Sequence, residues 1–315
     1  MADRTVARID TPWLGKGRGR LGDWVTQRWV QATGRRVSAT ENPWLDLLSG
    51  DTDVIGTDFF ARVAEREGLV LTRSGAPRGL VPDLFVLEGP DCSIRELHPA
   101  VVAFYERTSE YEFDVWSEWS GFFRPFGQML ALLFSRRLQQ LNVPLSPLDT
   151  SLGITSEVLQ LHSPEGELVR TAWVREIAAT GNTLYAGSYA VCTVPGHSGP
   201  CIRVVFPLPN GNAHVILKPH SHRDGSLTVS SRGRRFGDPG FYFFVQSAPG
   251  EGWARYVATL KEDIHVFPGA GEDSRADHTL ELWGKRFLRL HYRMRAGHGV
   301  AEPEREVDTR HSSRR

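Results

Sequence analysis

Residues 201–230 read CIRVVFPLPNGNAHVILKPHSHRDGSLTVS. Apolar, β-branched runs alternate here with two short links, PNGN at 209–212 and RDG at 223–225. Asn-Gly and Asp-Gly tolerate the left-handed backbone of tight hairpin turns, so the stretch predicts strands over 201–208, 213–219 and 225–231 joined as hairpins. The pattern runs on in both directions through the links PEGE, ATGN, PGHSGP and WGK. It predicts further strands over 152–161, 168–178, 183–193, 240–246, 255–267, 277–283 and 286–295. Ten sequential antiparallel strands predict a closed or nearly closed barrel, or a strongly curved sheet.

Two of these strands describe their surroundings. In RFLRLHYRMR, Leu288, Leu290, Tyr292 and Met294 share one face, while Arg289, His291, Arg293 and Arg295 share the other. That is a half-buried strand. In GFYFFVQ, Phe241, Phe243 and Val245 alternate with Tyr242, Phe244 and Gln246, so both faces are bulky and both require cover. Helices outside with a lined cavity inside would supply it, as in small barrels that hold one ligand. Plain two-layer packing would supply it equally well.

Upstream the period is helical. Asp23 to Ala32 predicts a short helix; Thr57 or Asp58 caps a second, whose face carries Phe59, Phe60, Val63 and Ala64 and which stops near Gly68. Pro99 opens a third with Val101, Val102, Tyr105 and Thr108 at helical spacing, and Phe126–Leu141 forms a fourth. The expected layout is an α+β fold with a helical N-terminal half packed on an antiparallel β-barrel or strongly curved sheet. Its parts are a flexible basic arm over 1–22, a mainly helical region over 23–147, a β region over 148–295 forming one domain with 95–147, and a disordered polar tail over 296–315.

The chain has 315 residues, 40% hydrophobic and 23% charged, and its 37 basic and 37 acidic side chains cancel. A neutral chain lacks the long-range pull that nucleic acid exerts on a basic one, which argues against nucleic acid as a partner. The neutrality is a sum of opposites: eight Lys/Arg against three Asp in residues 1–40, and nine Asp/Glu against two Arg in residues 83–118. The basic arm could dock on that acidic stretch or mediate self-association into a homodimer. No apolar run is long enough for a signal peptide or a transmembrane segment, and three cysteines make an odd count typical of reduced thiols, so a cytoplasmic location is expected. Cys192 and Cys201 flank one turn and could face each other across a hairpin.

The search for chemistry finds no nucleophile elbow, no P-loop and no zinc-protease motif, and no cofactor is implied. Glu106 and Glu110, four apart in FYERTSEYEF, are candidates for an acid and base pair beside aromatic rings, with Glu112, Asp114 and Glu118 following; a solvated helix face is the plainer account. His220 joins them as a candidate general base. His220 and His222 lie two apart with His214 upstream, a spacing that can hold a metal, but Pro219, Asp224 and Gly225 read as a hairpin mouth, and no metal is assigned. In WVREI, Trp173 and Arg175 alternate on one strand face, where a buried guanidinium could hold a ligand carboxylate.

The order LHPAVVAFYERTSEYEF, FFRPF, TAWVREI and FPLPNGNAHVILKP resembles the domain at the C-terminus of YndJ-type bacterial membrane proteins, and more distantly other bacterial domains with a WxR and PLP order. The resemblance covers about residues 95–267. It attaches to His98, Pro99, Phe104, Tyr105, Glu106, Thr108, Trp173, Arg175, Pro207, Leu208, Pro209, Asn210 and Lys218. It implies a shared arrangement of the fold and no particular reaction. The chain departs from it in having about ninety residues in front and no membrane portion.

The expected function is the binding of a small apolar or amphipathic molecule in the β region, with Trp173, Arg175, Phe206, Tyr242, Phe244 and Tyr292 as lining residues. The alternatives are an enzyme using the same cavity for acid–base chemistry on a lipid-, polyketide- or terpenoid-like substrate, and a protein–protein interaction module.

Overall fold

The computed structural model describes residues 21–50, 58–73, 76–120, 154–177 and 182–297. Three helices, α1 (Leu21–Thr33), α2 (Phe59–Glu67) and α3 (Pro99–Glu106), accompany fourteen strands: β1 (Arg35–Ser38), β2 (Val70–Thr72), β3 (Tyr111–Trp119), β4 (Ile154–His162), β5 (Leu168–Ile177), β6 (Asn182–Thr193), β7 (Pro200–Leu208), β8 (Gly211–Ser221), β9 (Leu227–Ser230), β10 (Gly240–Ala248), β11 (Glu251–Tyr256), β12 (Leu260–Pro268), β13 (Ser274–Leu282) and β14 (Lys285–Ala296). The strands form one antiparallel sheet in the order β2-β4-β5-β6-β7-β8-β9-β12-β13-β14-β3.

The sheet forks at β8. Gly211–Ile216 pairs with β10, which leads through β11 to β1, whereas Lys218–Ser221 pairs with β9 and leads to β12, β13, β14 and β3. The hairpin turns are those the sequence demands. Asn210 takes φ 60° between β7 and β8, and Trp283 and Gly284 take φ 51° and 73° between β13 and β14. Both central residues of the second turn are left-handed, the geometry whose twist matches the flanking strands.

Among the described residues no ladder joins β3 to β4, so the sheet is not closed by hydrogen bonds. The segment before α3 helps to explain why. Arg78 donates from Nε to the carbonyl of Val158 on β4 (2.8 Å), and its backbone N–H donates to Ser109 Oγ (2.9 Å) just before β3. An arginine head thus occupies a carbonyl at the edge of β4. Gly79 makes the approach feasible, because a Cβ there would lie 2.2 Å from the carbonyl oxygen of Tyr105.

Helix α3 lies against one end of the sheet. His98 caps it, accepting at Nδ1 from the N–H of Ala100, with Pro99 in the first turn. Ser274 Oγ on β13 donates to Ala100 O (3.0 Å) and ties the helix down. Helix α2 lays Phe59, Phe60, Val63 and Ala64 over the outer side chains of β4, β5 and β6, among them Leu159, Ala172 and Ala186.

Several expectations are corrected. Region 23–147 is not mainly helical in its described part, which holds three short helices and also β1, β2 and β3. Glu106 and Glu110 do not share a helix: α3 ends at Glu106, Thr108–Glu110 is a 3-10 turn, and Tyr111–Trp119 is strand β3. The stretch 255–267 is two strands, β11 and β12, on the two branches of the fork. The helix expected over Phe126–Leu141 and most of the terminal arm and tail lie outside the described residues. The acidic stretch is answered by β14, whose basic face pairs with β3: Arg295 contacts Glu112 (3.5 Å) and Asp114 (3.4 Å), and His291 contacts Glu118 (3.6 Å). Cross-strand pairs of this kind fix register more than they add stability.

A buried polar network fastens segment 44–50 to the outer face of the sheet. Asp46 pairs with Arg170 of β5 (3.2 Å) and Arg203 of β7 (3.3 Å), and Asn212 of β8 donates to the carbonyls of Asp46 and Leu48. Burial pushes the Asp46 carboxyl up, but the two guanidiniums outweigh it and hold the group below the usual carboxylate range. His214 is fully buried beside this network, stacked on Tyr242 at 5.2 Å with Nδ1 2.8 Å from Asn212 Oδ1. Burial first, and Arg203 second, pull its pKa down to about 3.

Asp46→Asn leaves Arg203 without its carboxylate and Arg170 with Glu67 alone (3.4 Å), and is expected to cost about 3 kcal/mol in urea unfolding at neutral pH. The native Asp46 pKa is depressed, so the stabilisation is complete above the unfolded value of 3.8 and disappears as pH falls through the lower folded value. A parental protein and variant that stay this far apart at pH 2 would contradict the assignment. His214 binds its proton less readily folded than unfolded, so it lowers stability as pH falls from about 6.5 towards 3. In His214→Gln the dependence of unfolding free energy on pH across that window should flatten by up to one proton.

Candidate functional site

The inner side chains of the sheet surround a pocket of about 200 Å³. Ten strands contribute to it, β3, β5 to β10 and β12 to β14, and α3 adds Phe104 and Tyr105 at one end. Strands from near the two ends of the strand order meet across it. Phe113 of β3 stands 5.2 Å from Trp173 of β5, centroid to centroid. The period of two determines which residues arrive there: Leu288, Leu290, Tyr292 and Met294 of β14 all face inward, and their basic neighbours face out.

The wall is predominantly apolar and its polar groups are few. Arg175 is 4% exposed. Its guanidinium lies over Trp173 (4.4 Å), Tyr185 (5.1 Å), Tyr292 (5.5 Å) and Phe113 (5.8 Å), while Nε and Nη1 have no hydrogen-bond partner among the described residues. Trp173 donates from Nε1 to Ser156 Oγ (2.8 Å), which fixes the ring against which Arg175 rests. Tyr185 and Tyr189 share a hydroxyl–hydroxyl bond of 2.6 Å, and burial pushes both phenols well above the usual tyrosine range, so both stay protonated. On the β12–β13 side, Glu262 Oε2 and His278 Nε2 stand 2.9 Å apart.

The sequence-derived ligand residues divide. Trp173, Arg175, Phe206 and Tyr292 line the pocket. Tyr242 and Phe244 do not; they sit in a separate cluster with Val37, Trp44, Ile216 and Ala254 on the outer face of the β8–β10–β11 branch. Phe241, their neighbour, is the β10 residue that turns inward. The candidate catalytic residues do not converge. Glu106 accepts from the N–H of Leu84 (2.8 Å), Glu110 pairs with Arg107 (2.6 Å), and His220 lies exposed at the end of β8. None of them lines the pocket, nor do Glu112, Asp114 or Glu118.

The carboxylate and imidazole that do line it, Glu262 and His278, escaped the sequence reading. Their signal was present, since Glu262 shares its strand phase with Ile264 and Val266, and His278 with Ala276 and Leu280. The outer histidines stand apart from the cavity. His222 Nε2 is 2.7 Å from Thr228 Oγ1, which is also 2.9 Å from His265 Nδ1, and His220 packs edge-on to His222. Among the described residues no group of three or more His, Cys, Asp or Glu is arranged to hold a metal.

The chain is 30% identical to the "Uncharacterized membrane protein YndJ" of Bacillus subtilis (strain 168) over 242 residues, 76% of this chain. It spans 41% of that relative's length. The resemblance seen in the HPAVVAFYE, WVRE and PLPN motifs is thus carried by most of the chain. No protein-family model and no solved structure matches it. Among the described residues no helix is long and apolar enough to cross a membrane.

Cys192 and Cys201 are direct partners in the β6–β7 ladder, and both are free thiols. Burial pushes Cys192 up to about 11 and Cys201 up to about 12; the third thiol, Cys92, is raised to about 11 by burial and by Glu88. Because the thiolate is the reactive form, Cys92 and Cys192 should alkylate roughly 100-fold, and Cys201 roughly 1000-fold, more slowly than free cysteine at pH 8. Iodoacetamide labelling followed by peptide mass spectrometry, native against urea-unfolded, checks this; a site labelled natively at the unfolded rate would contradict its burial.

Proposed function

We propose that the protein binds a small apolar or amphipathic molecule inside a barrel-like enclosure made by the curved sheet and capped at one end by α3. The observation that carries this reading is the interior itself. Ten strands and α3 direct mainly apolar side chains at a common space of about 200 Å³. That is larger than the cavity of about 150 Å³ that takes up benzene in an engineered protein core. Native interiors are close-packed, and an empty volume of this size forfeits contacts on every wall, so an occupant that restores them binds favourably. The ring contact between Phe113 and Trp173 supports the wrapped form of the sheet, because β3 and β5 lie near opposite ends of the strand order.

Acid–base chemistry in the same cavity is a second reading, favoured by the Glu262–His278 pair. A carboxylate that orients an imidazole is a recurring general-base arrangement. The binding reading is the more economical of the two, because it uses the whole wall rather than one pair.

Native mass spectrometry of freshly purified protein should reveal a co-purified small molecule, and Ile264→Phe, which adds bulk to the wall, should abolish it. Filling a void should cost less than the ~1–3 kcal/mol typical of overpacking a full core. Protein that carries no adduct, together with a strongly destabilised Ile264→Phe, would mean that the interior is already full.

A further inference from the structure

We infer that the molecule held in this cavity is an apolar monocarboxylate whose head group lies against Arg175. The inference rests on the binding reading above and names its ligand class. A guanidinium is charged at any pH a folded protein tolerates, and one this deeply buried requires either an anion or hydrogen-bond acceptors. Arg175 is 4% exposed, and among the described residues its Nε and Nη1 have neither. The four rings around it contribute cation–π attraction, which acts on the charge but accepts no N–H bond in the plane of the fork. They hold the guanidinium in position while leaving its donors unused.

The carboxylate of the wall is otherwise engaged. Glu262 bonds to His278, and no ion pair to Arg175 occurs among the described residues. The tyrosine hydroxyls beside Arg175 can donate as well. Tyr185 and Tyr189 are protonated and have two hydroxyl hydrogens between them; one is used in their mutual bond and the other is left to give. The unused N–H groups on Nε and Nη1 and a tyrosine O–H form a set dominated by donors around a positive charge. A carboxylate, which carries the opposite charge and accepts at both oxygens with lone pairs to spare, is its complement. A neutral head group would leave the guanidinium's charge uncompensated, and a cationic one would be repelled. The rest of the ligand lies along the apolar wall of β7, β8, β12 and β14.

Octanoate and 1-octanol, titrated separately into the full chain by calorimetry, test the assignment with a tail held constant. Octanoate should bind at least ~10-fold more tightly, the value of one charge-assisted bond. In Arg175→Leu that preference should vanish while 1-octanol binding persists or improves. Arg175→Lys, which keeps the charge but not the fork, should fall between the two. Equal affinity for both probes in the parental protein overturns the carboxylate assignment and leaves the binding reading intact, and it does so without any variant. If neither probe binds and the purified protein carries no adduct, both readings fall.

Discussion

The contact on which the interior depends is the one between Phe113, Trp173 and Arg175. Phe113 belongs to β3, at one extreme of the strand order, and the other two to β5, near the opposite extreme. With this contact made, ten of the strands direct inner side chains at one common space. Each strand then has two populations of neighbours, those across the interior and those of whatever covers it outside. β5 illustrates this: Trp173 and Arg175 look inward, while Ala172 and Val174 lie beneath α2. The contact is made by side chains because Arg78 already occupies a backbone carbonyl at the edge of β4. The interior is therefore bounded at that seam by rings and a guanidinium rather than by a ladder.

This arrangement explains which parts of the fold were legible in the sequence. Hairpins β4 to β9 and β13 to β14 were, because their strands alternate and the links between them each carry a Gly, with Gly166, Asn210, Gly225 and Gly284 at left-handed positions. β3 was not, although YEFDVWSEW alternates as regularly as any strand, with Tyr111, Phe113 and Val115 buried. Its acidic residues follow α3 closely, and Glu106 and Glu110 happen to stand at helical spacing. The partner that resolves the ambiguity, the basic face of β14, lies some 180 residues away and enters no local window. The split of 255–267 has the same origin. A chain that crosses from one branch of the fork to the other keeps its strand character, and only the pairing partner changes.

The site was legible to a similar degree. Trp173, Arg175, Phe206 and Tyr292 could be named because each stands on the inward phase of a strand whose alternation is clear. Tyr242 and Phe244 are as bulky as any of these, yet β10 leaves β8 on the other branch, so their face meets Trp44 and the segment around it. Bulk on both faces predicted cover on both sides, which holds, without indicating which side was the interior. Glu262 and His278 were overlooked for the opposite reason. A charged residue in an alternating strand is ordinarily assigned to water, and the phase that turned these two inward becomes decisive only once Ile264, Val266 and Leu280 are known to line a pocket.

The molecule contains its own comparison for Arg175. Arg170 stands on the same strand with the opposite phase, and Arg203 shares its environment outside the sheet; both are largely buried, and Asp46 lies within 3.3 Å of each. There the chain supplies the anion, bends segment 44–50 over the sheet to deliver it, and secures that segment through Asn212. The energetic demand of a buried guanidinium is the same on the inner face, but among the described residues the carboxylate there, Glu262, bonds to His278 and makes no ion pair with Arg175. Arg175 has aromatic rings on its flanks and an open space in front of it. Two buried arginines on the two faces of one strand thus differ in just this respect: Arg170 is paired with a carboxylate, and Arg175 is held by rings.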